Sequence, residues 1–180
     1  MTKLRLISST LAFAALAGVS QLHAQAEKPA PKLDDPTIVA IFDAANTWDI
    51  ATGGLAVKKG STKDVRDFGK MLVNDHTTVR KQGRDLAKKL KVTPTPPKNF
   101  AMAKDHAAAM KKLSKLKGKA FDRAFYEHEV AYHKAVIDAV TTTLLPALQN
   151  QEVKDLVNKV APAFNAHMVA AQGKLDKMAK

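Results

Sequence analysis

Four long stretches of the chain repeat apolar residues about every 3.6 positions, the period of a helix with one buried face. The first has Asp35 as its expected N-cap and Pro36 at the first helical position. Its stripe carries Ile38, Phe42, Ala45, Asp49 and Ala56, is weakened by Gly53 and Gly54, and ends at Gly60. Ser61 is the expected cap of the second, whose stripe holds Val65, Phe68, Leu72, His76, Val79, Leu86 and Leu90. The third runs from about Ala120 to Leu145, with Asp122, Tyr126, Glu129, His133, Ile137, Val140 and Leu144 near one line. The fourth carries Val153, Leu156, Val160, Phe164, His167, Ala171 and Met178, and Pro162 inside it predicts a kink or short break. Neither strand-like alternation nor a tandem repeat occurs.

Between the second and third stretches, Lys91 to Asn99 contains three prolines, which remove amide donors and cannot continue a helix. A short helix is expected over residues 101–116, followed by a Lys-Gly-Lys break at 117–119. The pattern therefore predicts an all-α fold: two antiparallel helical hairpins joined by a long crossover that contains a short helix. That is the connectivity of a ferritin-like four-helix bundle. An up-and-down bundle with a decorated loop fits the same periodicity.

The first residues change the picture of where such a domain works. Lys3 and Arg5 precede an apolar stretch from Leu6 to Val19, and small residues follow at Ala24 and Ala26. This is the order of a secretory signal peptide, expected over residues 1–26 with cleavage after Ala24 or Ala26. A short leader, 27–35, and a bundle domain, 36–180, complete the expected organisation. No later stretch reaches the roughly 20 apolar residues of a membrane span, so the mature chain is expected to be soluble and periplasmic or otherwise exported. The absence of cysteine excludes disulfides, a lipid-modified cysteine and thiolate chemistry. About 150 residues can bury a core without such staples.

The formal charge of +12 is unevenly placed. Lys and Arg outnumber Asp and Glu by 13 to 2 over residues 80–119, and the two signs nearly balance on either side. A lysine-rich segment of this kind is either a solvated face or a docking surface for an anionic polymer or lipid headgroups, attracted by a field that salt screens. Lys111, Lys112, Lys115, Lys117 and Lys119 are the candidate contacts. Nucleic acid is a poorer partner, because export removes the usual target and Phe100 is the one aromatic in the segment for stacking bases.

Candidate chemistry lies on the apolar stripes themselves. Asp49, His76, His133 and His167 each occupy the inward line of a different long helix. A buried carboxylate or imidazole costs several kcal/mol unless it is paired or coordinated. At about 1.5 Å of rise per residue, counting from the turns brings all four near the middle of the bundle. Three imidazoles and a carboxylate suit one divalent transition metal, Zn, Cu, Fe or Mn. A histidine on an apolar stripe is also commonly just a hydrogen-bonded core residue. Asp122 lies about 16 Å along its helix from His133 and is assigned to a helix start. Tyr126 reads as a core aromatic or as a second-layer partner of a histidine. Glu129, one turn before His133, either pairs with that imidazole or, the preferred reading, is a carboxylate at the solvent edge of its stripe, and His106 and His128 read as surface residues. A di-iron centre of the Glu-x-x-His type is not expected, since Val73, Val130 and Phe164 stand three residues before the histidines. Phosphate-loop, nucleophile-elbow and H-E-x-x-H motifs are also absent.

Several elements in order resemble those of a bacterial family, the domain of unknown function 4142, whose members are often labelled outer-membrane or exported proteins with a ferritin-like fold. They are Trp48-Asp49-Ile50, Phe68 to Thr77 with its Asp75-His76-Thr77, Phe121-Asp122 through Tyr126, Tyr132-His133-Lys134-Ala135-Val136, and Val160-Ala161-Pro162 to His167. The resemblance implies the fold, export and a shared set of inward polar residues: Asp75, His76, Asp122, Tyr126, His133 and His167. The family pattern has Glu where this chain has Asp49. No reaction is implied. Residues and resemblance together lead to a periplasmic bundle that is metal-binding or stress-associated without demonstrated catalysis, using His76, His133 and His167 with Asp49 or Asp75. The other reading is an envelope-binding module acting through residues 80–119.

Overall fold

The structure, a computed structural model, describes residues 33–98 and 100–178. The expected signal peptide and most of the leader therefore lie outside the described residues. All regular structure among the described residues is helical: α1 (Asp35–Lys59), α2 (Lys63–Lys89), α3 (Ala101–Lys115), α4 (Gly118–Ala139), α5 (Leu145–Ala147) and α6 (Gln151–Met178). A π-helical turn, Val140–Leu144, joins α4 to α5.

The helix starts differ by one residue from the sequence expectation. Asp34, not Asp35, caps α1 by accepting from the Thr37 amide at 2.9 Å. Asp35 instead accepts from the amides of Gln149 (2.8 Å) and Asn150 (3.0 Å), tying the α5–α6 turn to the start of α1. Thr62, not Ser61, caps α2, through the Val65 amide. Of the kink or short break expected at Pro162, the break does not occur: α6 runs from Gln151 to Met178 with Pro162 inside it.

Helix α1 packs chiefly on α2, and α4 on α6. The α1–α2 contacts run in opposite senses along the two helices, from Asp43 with Arg84 through Asn46 with His76 to Gly53 with Gly69. The last pair explains two glycines that propensity alone would disfavour. A Cβ on Gly53 would stand 2.8 Å from the Gly69 carbonyl oxygen, and one on Gly69 would stand 2.6 Å from that of Gly53. Only glycine lets the two backbones touch there.

The segment between α2 and α4 travels the length of these helices. Near its start the Thr95 amide donates to Pro36 at the beginning of α1 (3.1 Å). At its end, Asp122 in the first turns of α4 accepts from Ser61 in the α1–α2 turn (2.9 Å). Helix α3 rides on the outside with only Leu113 buried.

The interior is divided. One apolar cluster, with Ile38, Val79, Val140, Leu148 and Val157, fills the end where α1 begins. A second, with Leu72, Leu113, Phe121, Phe125 and Tyr126, fills the end near the α1–α2 turn. Burial of each large side chain in them contributes about 1.5–3 kcal/mol. Between the two lies a layer of buried polar residues.

Candidate metal centre

Asp49, His76, His133 and His167, one from each long helix, meet in that layer, all 5% exposed or less. The Oδ2 atom of Asp49 is 3.1 Å from His76 Nε2 and 3.3 Å from His133 Nε2. His76 Nε2 is 3.3 Å from His167 Nδ1. Phe164 stacks flat on His76, with ring centroids 5.2 Å apart, and closes one side of the layer.

The far nitrogen of each imidazole settles which atom carries its proton. His76 Nδ1 lies 2.9 Å from Asn46 Oδ1, and the Asn46 amide nitrogen donates to the Phe42 carbonyl at 2.8 Å, so Oδ1 must accept. His133 Nδ1 lies 2.9 Å from the Glu129 backbone carbonyl, which can only accept. His167 Nε2 lies 3.0 Å from the carboxylate of Asp75. Every imidazole therefore points its N–H outward and its lone pair inward. Asp49 Oδ2 faces the inward nitrogens of His76 and His133 at 3.1 and 3.3 Å, and His76 Nε2 faces the inward nitrogen of His167 at 3.3 Å.

Such a cluster repels itself unless a proton or cation sits inside it. Burial opposes protonating the rings: it pulls His76 down to about 2, with the neighbouring His133 and His167 charges adding to the effect. Burial likewise brings His133 down to about 4. The Asp49 carboxyl is pushed up to about 7 by burial. These three contacts have the length expected between donors that share one ion, since donors about 2.0–2.1 Å from a tetrahedral ion lie about 3.3 Å from one another.

Glu129 corrects the sequence reading. It is not at the solvent edge but fully buried, and neither carboxylate oxygen has a hydrogen-bond partner. Burial, and after it the charge of Asp49, raises its carboxyl well above the ordinary range. Asp49, Glu129 and His133 bring ligand atoms within 4.8 Å of one another, as do the three histidines. Asp49 Oδ1 and His133 Nε2 are also unpartnered. Asn46, the acceptor for His76, was missed as well. The available signals were spacing alone: Glu129 is one turn before His133, and Asn46 is one turn before Asp49.

The remaining candidates lie elsewhere. Asp75, about half exposed, stands at the outer nitrogen of His167, Nε2, while the other nitrogen, Nδ1, faces His76. Asp122 is buried at the far end of the layer's neighbouring cluster, where it accepts from both the amide and hydroxyl of Ser61. It thus serves the start of α2 and not that of its own helix. Tyr126 packs on Phe68 and Phe125 and reaches Asp64 at 3.5 Å, with no histidine beside it. His106 and His128 are half-buried and not surface residues, because α3 lies over α4: His106 stacks on Trp48 at 5.5 Å, and His128 lies 5.6 Å from the ring of Tyr132. Lys111, Lys112 and Lys115 on α3, Lys117 in the turn after it and Lys119 at the start of α4 are all exposed. No helix among the described residues is long and apolar enough to cross a membrane.

A family model described as "Domain of unknown function (DUF4142)" matches residues 20–173. No curated protein and no solved structure matches the chain.

Proposed function

The chain belongs to the DUF4142 family, and since that description assigns no reaction, we propose a function from the buried site alone: an exported, ferritin-like four-helix bundle that holds one divalent transition metal. His76, His133 and His167 supply imidazole nitrogens and Asp49 a carboxylate oxygen. The observation that carries this reading is the inward convergence of three lone pairs and a carboxylate with every imidazole proton directed outward. Outer acceptors of this kind fix the tautomer and orientation of metal-ligating histidines. On this reading Asp75 orients His167 and is not itself a ligand, and the unpartnered Glu129 carboxylate stands ready as a further ligand beside Asp49. The donor set suits Zn, Cu, Fe or Mn.

Metal analysis of the mature protein, purified without an affinity tag, tests the proposal. One equivalent is expected, and His133→Ala should lose it. Substoichiometric metal that is the same in His133→Ala would overturn the reading.

A second reading concerns the outside of the molecule. The five lysines from α3 to the start of α4 are exposed, and none forms an ion pair among the described residues. Their free charge supports docking to anionic lipid headgroups or polymer of the envelope. Binding to vesicles containing anionic lipid should weaken with salt. It should vanish when all five are replaced by Gln, and equal binding by that variant would refute docking.

A further inference from the structure

Beside the donors lies a void of about 10 Å³ whose lining includes Asp49, His76 and His133 together with Ala45, Tyr132 and Val136. A space of this size holds about one water molecule. His167 does not line it. The void therefore lies against three of the donors and not the fourth, a place where an additional ligand of an ion held by them would fit.

Tyr132 forms the outer wall. Its ring stands edge-on to His133 with centroids 5.9 Å apart, and its hydroxyl donates to the Ala45 carbonyl at 2.8 Å. The other side of the same residue lines a cleft of about 250 Å³ between α3 and α4, where His106 and His128 also lie. One side chain thus separates a solvent-facing cleft from the buried void.

We propose that the ion keeps one exchangeable coordination position in this void, sized for water or a ligand no larger, and reached from the α3–α4 cleft past Tyr132. The inference rests on the metal reading above and adds the class of ligand the centre can take. Its consequence is selectivity by size: an organic substrate has no room at the ion, whereas a water-sized molecule does.

Cobalt(II) is the probe, because its visible bands are several-fold stronger in four-coordinate than in five-coordinate sites. The cobalt-loaded mature protein should show the weaker bands, and fluoride, an ion of water's size, should shift them. Ala45→Val and Val136→Ile each fill the void. They should raise the bands several-fold at unchanged cobalt content and abolish the fluoride shift. Tyr132→Phe, which frees the ring from the Ala45 carbonyl, should speed the fluoride response, and an unchanged rate would overturn the route. Strong four-coordinate bands in the wild-type protein, unmoved by fluoride, would overturn the open position and leave the metal centre standing. Failure to hold cobalt at all would overturn both. If neither filling variant folds, the fluoride titration of the wild-type protein decides alone.

Discussion

Two carboxylates only 1% exposed sit at two levels of the same bundle and are treated in opposite ways. Asp122, near the α1–α2 turn, accepts from the amide and the hydroxyl of Ser61, so its burial is compensated by protein donors. Asp49, at mid-height, faces the lone pairs of His76 and His133, and it lies beside a second buried carboxyl, Glu129, whose oxygens accept no hydrogen bond and whose nearest imidazole nitrogen, His133 Nδ1, is 3.5 Å away. Burial alone therefore says nothing about function. What distinguishes the two is whether the protein supplies the donors, and at Asp49 it supplies only acceptors.

The largest expected effect follows from that contrast. If the mid-height layer is completed by an ion, free metal at about 1,000 times its dissociation constant stabilises the fold by about 4 kcal/mol. Chelation should then lower the melting temperature by about 10 °C. In Asp49→Asn the difference between metal-loaded and chelated protein should shrink to near zero. A wild-type melting curve indifferent to chelator would place Asp49 in the same class as Asp122.

Asp122→Ala should behave in the other way. It leaves the Ser61 amide and hydroxyl without their acceptor, a loss of about 2–3 kcal/mol, equal with and without metal and with unchanged metal content. The sign is the sharper test at Asp49. Because the metal-free cluster is self-repelling, Asp49→Asn, which introduces an amide donor among three lone pairs, should stabilise the chelated protein by up to about 1 kcal/mol. Denaturant unfolding of the two chelated proteins measures this. A loss similar to that in Asp122→Ala would mean that Asp49 already had its partner.

The sequence made the long helices and the matched heights of Asp49, His76, His133 and His167 legible, because both follow from local periodicity and distance from a turn. Glu129 was misread for a reason internal to that method. It lies at the margin of its helix's stripe, and whether a margin is wet or dry depends on the helix packed across it, here α1, which the pattern of α4 does not encode. His106 and His128 were misread for the same cause, since their burial is made by α3 lying over α4. The one-residue displacement of both caps has a simpler origin: Asp34 and Asp35, like Ser61 and Thr62, are adjacent residues of equal capping chemistry. Gly53 and Gly69 show the converse, a local weakness whose purpose is visible only in the approach of a second backbone.

The outer acceptors give the remaining test of the contrast, and burial should rank them. Removing such a partner costs about 10- to 100-fold in metal affinity. Asn46 is 1% exposed and holds His76 where water cannot replace it, so Asn46→Ala should fall near the upper end. The Asp75 side chain is 49% exposed, and in Asp75→Asn the amide oxygen can still accept from His167, so its loss should be about tenfold or less. Competition titration of the two variants against a common chelator measures the order. A larger loss at Asp75 than at Asn46 would mean that Asp75 touches the ion directly, and that the ion lies nearer the surface than the convergence on Asp49 places it.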